Sequence, residues 1–352
     1  LGDHWGCYAR GWFHWYSRGY TPGGVELWNA IRGLDLLCSR QEVDPEKLGV
    51  TGISGGGAQS FYIAAADPRV KVSAPVCGGC TFESQIGQRV LDGHCDCMVP
   101  INTYGIDYSD IGALIAPRPL MIAQADRDGL NPIESVRTMC QAIRKIYDLY
   151  NAGDHCVFVE TPGPHSYHEI SRTNIFSFFI KHLMGKEIAP SLVGDIDNSP
   201  ESLLSVDELR VYVDGPPTDD RTKTIQDSLQ KMAEPPSIQT KTDLDKHREK
   251  VLTFLRQKTF GAFPIHPPEL NTEMFFRSHE GNGGNVVYSF ISENGYRLKV
   301  DCRWPEEQVE KKSVVLVLRN PDEKRWDSEG FSSGMANQWN RAFFETRGVG
   351  ET

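Results

Sequence analysis

The sequence predicts an α/β domain, with a mostly parallel sheet flanked by helices, over residues 1–185. Short apolar runs alternate there with segments of helical apolar spacing, which is typical of this class. Three of these runs end in turns that carry a serine, an aspartate and a histidine. A polar, proline-dotted linker follows over 186–242, and residues 243–352 contain a helix and several strand-like runs. A chain of 352 residues can hold two domains.

The first predicted helix begins after Thr21, whose hydroxyl can cap it, and Pro22 is its first residue. The apolar run at 48–51 is the first predicted strand. An aromatic cluster precedes the helix, and it could either line a pocket or pack in a core. The members of this cluster are Trp5, Trp12, Trp15 and Tyr16.

The strand at 48–51 leads directly into Gly52-Ile53-Ser54-Gly55-Gly56, and a helix-compatible segment follows from Ala58 to Ala66. The bare Gly-x-Ser-x-Gly pattern also fits an ordinary glycine-rich turn. A strand before it and a helix after it indicate a nucleophile elbow, which lifts the serine hydroxyl at the carboxyl edge of the sheet. The following helix points free N–H groups at the same position. This context predicts that Ser54 is a nucleophile.

A second polar turn follows the buried strand predicted over 119–123, and it contains two carboxylates. Asp128 precedes Gly-Leu-Asn-Pro, a turn that leads the chain away while the carboxylate faces inward. Asp126 lies closer to the strand and could instead cap the turn or pair with Arg127. We expect Asp128 to be the acidic partner of the serine, with Asp126 as the alternative.

A helix predicted over 133–150 and a strand predicted over 156–160 lead to a third turn, which ends in Pro164-His165. His165 follows this turn immediately, whereas His168 is close to the start of a helix predicted over 170–183. A lone loop histidine is most often a surface residue. Because all three turns follow parallel strands, their side chains are expected at one edge of the sheet, with His165 preferred over His168.

Further motifs accompany the elbow along the same half of the chain. They are Ser17-Arg18-Gly19-Tyr20-Thr21-Pro22-Gly23-Gly24-Val25-Glu26, Gly93-His94-Cys95-Asp96-Cys97-Met98, Ala116-Pro117-Arg118-Pro119-Leu120, Asp126-Arg127-Asp128 and Gly163-Pro164-His165. With these motifs, residues 1–185 resemble the α/β-hydrolase superfamily, and most closely its acetyl xylan esterase-like hydrolases.

The resemblance implies a serine carboxylesterase with Ser54, Asp128 and His165 as its triad and the Gly55 N–H as one oxyanion donor. His165 would accept the serine proton, and Asp128 would orient the imidazole. This mechanism needs no cofactor and no metal. The expected partner is a small-molecule or carbohydrate ester substrate. A serine peptidase of the prolyl-oligopeptidase type, or a catalytically incomplete fragment, is the alternative.

In that superfamily, further strands and the second oxyanion donor precede the elbow, where this sequence supplies one helix. The strand at 48–51 would then have an open edge. Strand-like runs at 286–291, 297–302 and 313–318 resemble the opening strands of a second hydrolase repeat. We interpret the chain as part of a tandem protein and expect a possible contact between its two half-domains, with these strands beside 48–51. An unrelated β-rich accessory domain is the alternative.

Composition excludes several partner classes. The net charge of −10 argues against nucleic acids and anionic membranes, and no run of 18 apolar residues predicts a membrane span. No signal peptide is visible, and the localisation stays open. Among nine cysteines, Cys77-x-x-Cys80 and Cys95-x-Cys97 lie near His94. They could bind zinc or form a disulfide, but free buried thiols are the favoured interpretation.

Overall fold

The computed structural model describes residues 21–90, 102, 105–221, 234–260, 264, 266–281, 283–304, 313–318 and 340–344. The aromatic cluster near the start of the chain and the Gly93–Met98 motif lie outside these ranges. The chain divides into two compact units between Ser237 and Ile238, inside the segment predicted as a linker. No helix in the described part of the chain is long and apolar enough to cross a membrane.

The first unit contains a four-stranded, fully parallel sheet in the order β1-β2-β3-β4, with helices on both faces. The predicted α/β class is confirmed. Its elements are α1 (Pro22–Ser39), β1 (Leu48–Ile53), α2 (Gly55–Ala66), β2 (Val70–Val76), α3 (Phe82–Gly87), α4 (Tyr108–Ala113), β3 (Leu120–Ala125), α5 (Ile133–Leu149), β4 (Cys156–Thr161), α6 (Glu169–Met184) and α7 (Pro190–Val193).

Local signals define several of these elements. The Thr21 hydroxyl accepts a hydrogen bond from the Gly24 N–H and caps α1, as its position predicts. β2 is absent from the predicted strands, although Val70 and Val72 alternate with polar residues in the manner of a strand. β2 lies between β1 and β3, so it connects the elbow strand to the strand of the acidic turn.

Each face of the sheet carries its own core. On one face, α2, α4 and α5 pack against residues such as Leu120 and Ile122. On the other face, α6 packs against Met121 and Ala123. Successive residues of a strand point to opposite faces, so the apolar run of β3 supplies both cores. Two covered faces hold the strand ends, and therefore the turns, in fixed positions.

The second unit is a helix followed by a five-stranded mixed sheet in the order β5-β6-β7-β9-β8. β8 and β9 are parallel, and the remaining neighbours are antiparallel. The structure adds β5 and β9 to the three predicted strands. The interpretation as the opening half of a second repeat, with its strands beside β1, stays a prediction. The elements are α8 (Lys241–Phe254), β5 (Glu273–Glu280), β6 (Gly283–Glu293), β7 (Tyr296–Trp304), β8 (Val314–Leu318) and β9 (Asn340–Phe344).

Candidate active site

The carboxyl ends of the four parallel strands form one edge of the first sheet. In the strand register, Ile53 lies opposite Val76, Val76 opposite Ala123, and Ala123 opposite Val159. Ser54 directly follows this row on β1. The turns that carry Asp128 and His165 begin just beyond it on β3 and β4. The three predicted residues therefore belong to one edge of the sheet, which is where open α/β sheets place their active sites.

Ser54 has the strained backbone of a nucleophile elbow. Its φ of 59° and ψ of −120° lie in a region that non-glycine residues rarely adopt. The Ser54 N–H donates to the Val76 carbonyl at 3.0 Å, and α2 begins at the next residue. A Cβ atom at Gly52 would lie 2.7 Å from the carbonyl carbon and oxygen of Gly56. The close approach of these two glycines requires a residue without a side chain at position 52.

We expect the two glycines of the elbow to differ in their tolerance of alanine. Gly52→Ala should lower the free energy of unfolding by about 1–3 kcal/mol, because backbone atoms cannot move aside as a side chain can. A Cβ at Gly56 meets no heavy atom within 4 Å, so Gly56→Ala should be neutral or stabilise the helix by up to about 1 kcal/mol. Urea unfolding of the full chain measures both. Equal destabilisation by the two variants would contradict the close approach.

The N-terminus of α2 provides hydrogen-bond donors beside Ser54. Gly55 is the first residue of the helix, so its N–H is one of the groups that have no partner within the helix. The helix dipole adds positive potential at the same end. This arrangement suits an oxyanion that forms next to the serine oxygen, and Gly55 stays the predicted donor.

Asp128 is buried among donors. The N–H groups of Leu130 and Asn131 donate to its Oδ1 at 2.8 and 3.3 Å. The side-chain amide of Gln124 donates to its Oδ2 at 2.9 Å, and His165 Nδ1 lies 2.8 Å from the same oxygen. The Asp128 side chain is 0% exposed, whereas that of His165 is 26% exposed. The imidazole therefore joins the buried carboxylate to the open side of the site.

The pKa values of the pair are shifted in the directions that a charged carboxylate and a basic imidazole require. Burial by itself raises the pKa of Asp128, but hydrogen bonds from His165, Leu130 and Gln124 outweigh it and lower the pKa to about 2. The hydrogen bond to Asp128 raises the pKa of His165 above its ordinary value, against the opposing effect of burial. Asp128 is thus ionised at neutral pH and stabilises a protonated His165.

If His165 is a general base, the rate should fall in acid. Only the neutral imidazole can accept a proton, and a raised pKa keeps His165 protonated to higher pH. We therefore expect the acid limb of kcat/KM for ester hydrolysis to have its midpoint above the ordinary histidine value of 6.5. A pH–rate profile with a neutral chromogenic ester measures it. A rate that is constant down to about pH 4 would exclude a histidine base.

Asp126 and His168, the alternatives to Asp128 and His165, form contacts that stabilise the turns and the next helix. Asp126 accepts a hydrogen bond from the Gly163 N–H at 2.7 Å and lies 3.5 Å from the Arg127 guanidinium. His168 is the N-cap of α6, and its Nδ1 accepts from the Ile170 N–H at 3.1 Å. Asp126 therefore ties the acidic turn to the histidine turn, and His168 starts the next helix. Neither residue contacts the Asp128–His165 pair through a hydrogen bond among the described residues.

The structure brings Asp128 and His165 into contact but leaves Ser54 as a neighbour. Within the described ranges, the Ser54 hydroxyl forms no hydrogen bond with His165. Catalytic hydrogen bonds are often long without substrate and tighten when it binds. Cys77 connects the elbow to the histidine turn. It directly follows Val76, whose carbonyl accepts from the Ser54 N–H, and its Sγ donates weakly to the Ser166 carbonyl at 3.8 Å.

A metal site is the alternative use of this cluster. Donor atoms of Cys77, Asp128 and His165 lie within 4.8 Å of one another, and such donors can bind zinc. Burial raises the pKa of the Cys77 thiol to about 11. The imidazole nitrogen that faces Asp128 is also used by their hydrogen bond. The geometry favours an acid–base pair.

The predicted cysteine cluster is only partly described. Cys77 and Cys80 are free, buried thiols, and burial raises the pKa of each to about 11. Cys95, Cys97 and His94 lie outside the described residues, so a zinc site or a disulfide that includes them stays a prediction.

Two functional neighbours of Asp128 are absent from the sequence prediction. Gln124 is fully buried and donates both to Asp128 and to the Asn131 carbonyl at 3.0 Å. The side-chain amide of Asn131 donates to the Cys77 carbonyl at 3.0 Å, which fixes the acidic turn to the end of β2. A polar residue inside the apolar run of β3 is the signal that could have identified Gln124.

No protein-family model matches the chain. By sequence, the chain is 29% identical over 166 residues to YtaP of Bacillus subtilis (strain 168), which is named provisionally as a hydrolase; the match covers 47% of this chain and 56% of that protein. It is 24% identical over 170 residues to the 4-O-methyl-glucuronoyl methylesterase of Neurospora crassa, and this match covers 41% of this chain and 43% of that protein. The chain spans 36 to 56% of the length of the curated relatives it matches.

Among solved structures, a carbohydrate esterase family 15 glucuronoyl esterase from Caldicellulosiruptor kristjansonii overlaps with a TM-score of 0.41 and 22% identity, over 51% of this chain and 54% of that one. The glucuronoyl esterase of Sporotrichum thermophile overlaps with the same TM-score at 19% identity, over 51% of this chain and 56% of that one. Overlaps of this size say nothing about activity. The sheet and elbow of the first unit, with the sequence match to YtaP, confirm the predicted resemblance to the α/β-hydrolase superfamily.

Proposed function

We propose that this chain hydrolyses carboxylic esters, with Ser54 as nucleophile, His165 as general base and acid, and Asp128 as the group that orients His165. The observation that carries the proposal is the 2.8 Å contact between Asp128 and His165 at the sheet edge where the strained Ser54 directly precedes α2. A buried carboxylate, a partly exposed imidazole and an elbow serine are the parts that a serine hydrolase requires.

The reaction proceeds in two halves. The Ser54 oxygen attacks the ester carbonyl carbon while His165 accepts its proton, and the Gly55 N–H stabilises the oxyanion. His165 then donates that proton to the departing alcohol, which leaves an acyl group on Ser54. Water attacks the acyl-enzyme with His165 again as base, and the carboxylic acid and free Ser54 are released. One oxyanion donor contributes about 2.7–4 kcal/mol to transition-state stabilisation.

A carbohydrate ester is the proposed substrate class. The acetyl xylan esterase-like motifs support an acetyl ester, in which the sugar is the leaving alcohol. The curated relative named a 4-O-methyl-glucuronoyl methylesterase supports a methyl ester of a sugar acid, in which the sugar is the acyl part. The two esters place the sugar on opposite sides of the reacting carbonyl, so they require different pockets around the same triad.

The test begins with a fluorophosphonate probe on the purified full chain, because the probe labels an activated serine whatever its substrate. A labelled chain is then given an acetylated xylan, a methyl ester of 4-O-methyl-glucuronate and an aminoacyl-proline amide. Hydrolysis of either sugar ester supports the proposal and identifies the side that holds the sugar. Cleavage of the amide alone would assign a peptidase instead. A folded chain that neither reacts with the probe nor hydrolyses any ester would be a catalytically incomplete fragment.

A further inference from the structure

We infer that a hydrogen bond between Tyr167 and Thr51 holds the histidine loop, residues 162–168, over the nucleophile strand and positions His165 for Ser54. The inference rests on the proposed function and adds two positioning residues to it. Tyr167 Oη and Thr51 Oγ1 are 2.7 Å apart. Thr51 lies three residues before Ser54 on β1, and Tyr167 lies two residues after His165.

The donor in the Tyr167–Thr51 hydrogen bond can be identified from a second hydrogen bond that Thr51 makes. Thr51 Oγ1 also donates to the Ala74 carbonyl of β2 at 2.7 Å, and a carbonyl can only accept. The hydroxyl of Thr51 has one proton, so the Tyr167 hydroxyl must donate to it. The result is a relay from Tyr167 through Thr51 to Ala74, which connects the histidine loop to both β1 and β2.

The reach of the loop explains why such a tether is needed. β1 and β4 are the outer strands of the first sheet, with β2 and β3 between them. Neighbouring strands lie about 4.8 Å apart, so the ends of β1 and β4 are about 14 Å apart. The loop after β4 must cross the ends of two strands to bring His165 near Ser54. Asp126 holds the start of the loop through the Gly163 N–H, but that contact lies beside β3.

Tyr167 is suited to fix the far end of the loop. Its ring packs on the core between the sheet and α6, and burial raises the pKa of its hydroxyl, which stays protonated as a donor. The Arg172 guanidinium of α6 donates to the Tyr167 carbonyl and pairs with Asp195. Among the described residues, the hydroxyl of Tyr167 supplies the hydrogen bond from this loop to β1.

The consequence for catalysis is geometric. His165 is held from one side by Asp128, and this bond fixes its distance from β3 but not from Ser54. A misplacement of about 1 Å between nucleophile and base can lower a rate about 100-fold. Loss of the Tyr167 hydroxyl should therefore lower kcat, whereas substrate affinity, which depends on other contacts, should change little.

The experiment removes one hydroxyl at a time from the full chain. Tyr167→Phe and Thr51→Val should each lower kcat about 10- to 100-fold, with KM within about twofold. Thr51→Ser, which keeps the hydroxyl, should retain most of the activity. The double variant Tyr167→Phe/Thr51→Val should be no slower than Thr51→Val alone, because Thr51→Val already removes the bond to Tyr167 together with the bond to the Ala74 carbonyl. The acid limb of the pH–rate profile should also shift to lower pH as the Asp128–His165 bond loosens.

Matched controls are Thr138→Val, whose hydroxyl is exposed and bonds within α5, and Tyr150→Phe, whose ring is exposed just after α5. Both should keep the kcat of the parent chain. Unchanged kcat in Tyr167→Phe and Thr51→Val would overturn the inference. So would a Thr51→Ser variant as slow as Thr51→Val, because packing rather than the hydroxyl would then be responsible.

A readout without turnover separates this inference from the proposed function. The His165 Nδ1 proton, bonded to Asp128, should give a low-field NMR signal in the parent chain. In Tyr167→Phe this signal should broaden or move upfield, while it should persist in Tyr150→Phe. A parent chain that shows the signal but hydrolyses no ester would refute the proposed function alone. An identical signal in the parent chain and in Tyr167→Phe would refute the tether.

Discussion

Replacement of Ser54 by alanine is expected to abolish both fluorophosphonate labelling and ester hydrolysis, with a loss of about 10⁴-fold or more in kcat. Without the hydroxyl no acyl-enzyme can form, and the remaining groups can only assist the attack of water. The strained backbone of the elbow is kept, since alanine meets the same steric restriction as serine there. The free energy of unfolding should therefore change by no more than about 0.5 kcal/mol.

The measurement is probe labelling on a gel beside kcat with the ester found in the substrate panel. Ser60→Ala is a useful control, because Ser60 is a buried serine in α2, the helix that follows the elbow. Its hydroxyl donates to the Gly56 carbonyl. It should keep the label. A Ser54→Ala variant that is still labelled would move the nucleophile to another residue.

Asp128→Asn and His165→Ala are each expected to lower kcat by roughly 10⁴-fold or more. Without His165 no group removes the serine proton. An asparagine at position 128 fits the same space, but it cannot stabilise the imidazolium and favours the wrong tautomer of the ring. Asp128→Asn should also abolish the rise in the pKa of His165, because the hydrogen bond to the carboxylate is its main cause.

The neighbouring residues of the same turns are the matched controls. Asp126→Asn keeps an amide oxygen that can accept from the Gly163 N–H, so its effect on kcat should be far smaller. His168→Ala removes the N-cap of α6 and should cost about 1 kcal/mol of stability with little change in kcat. If Asp126→Asn proved as damaging as Asp128→Asn is expected to be, the assignment within the acidic turn would reverse.

The sequence by itself determined the class of the first unit and the position of its elbow. Apolar period and capping residues are local properties, so the sequence predicts the helix after Thr21 and strands at 48–51, 119–123 and 156–160. The structure places these strands at Leu48–Ile53, Leu120–Ala125 and Cys156–Thr161. The glycines around Ser54 are also a local pattern, and they predict the elbow. β2 is absent from the predicted strands because alternating valines are a weak signal for a strand buried inside a sheet.

Only the tertiary structure decided which side chains in the turns meet. Asp126 and Asp128 are two residues apart, and His165 and His168 are three apart. The local turn pattern favours Asp128 and His165, but it does not establish that they meet across 37 positions. The Tyr167–Thr51 contact joins residues that are 116 positions apart. Such contacts depend on the register of the parallel strands and on the path of the loop across their ends. The physical reason is that register and loop path are set by packing over the whole sheet, whereas a sequence pattern reports only the few residues that share one turn or one strand.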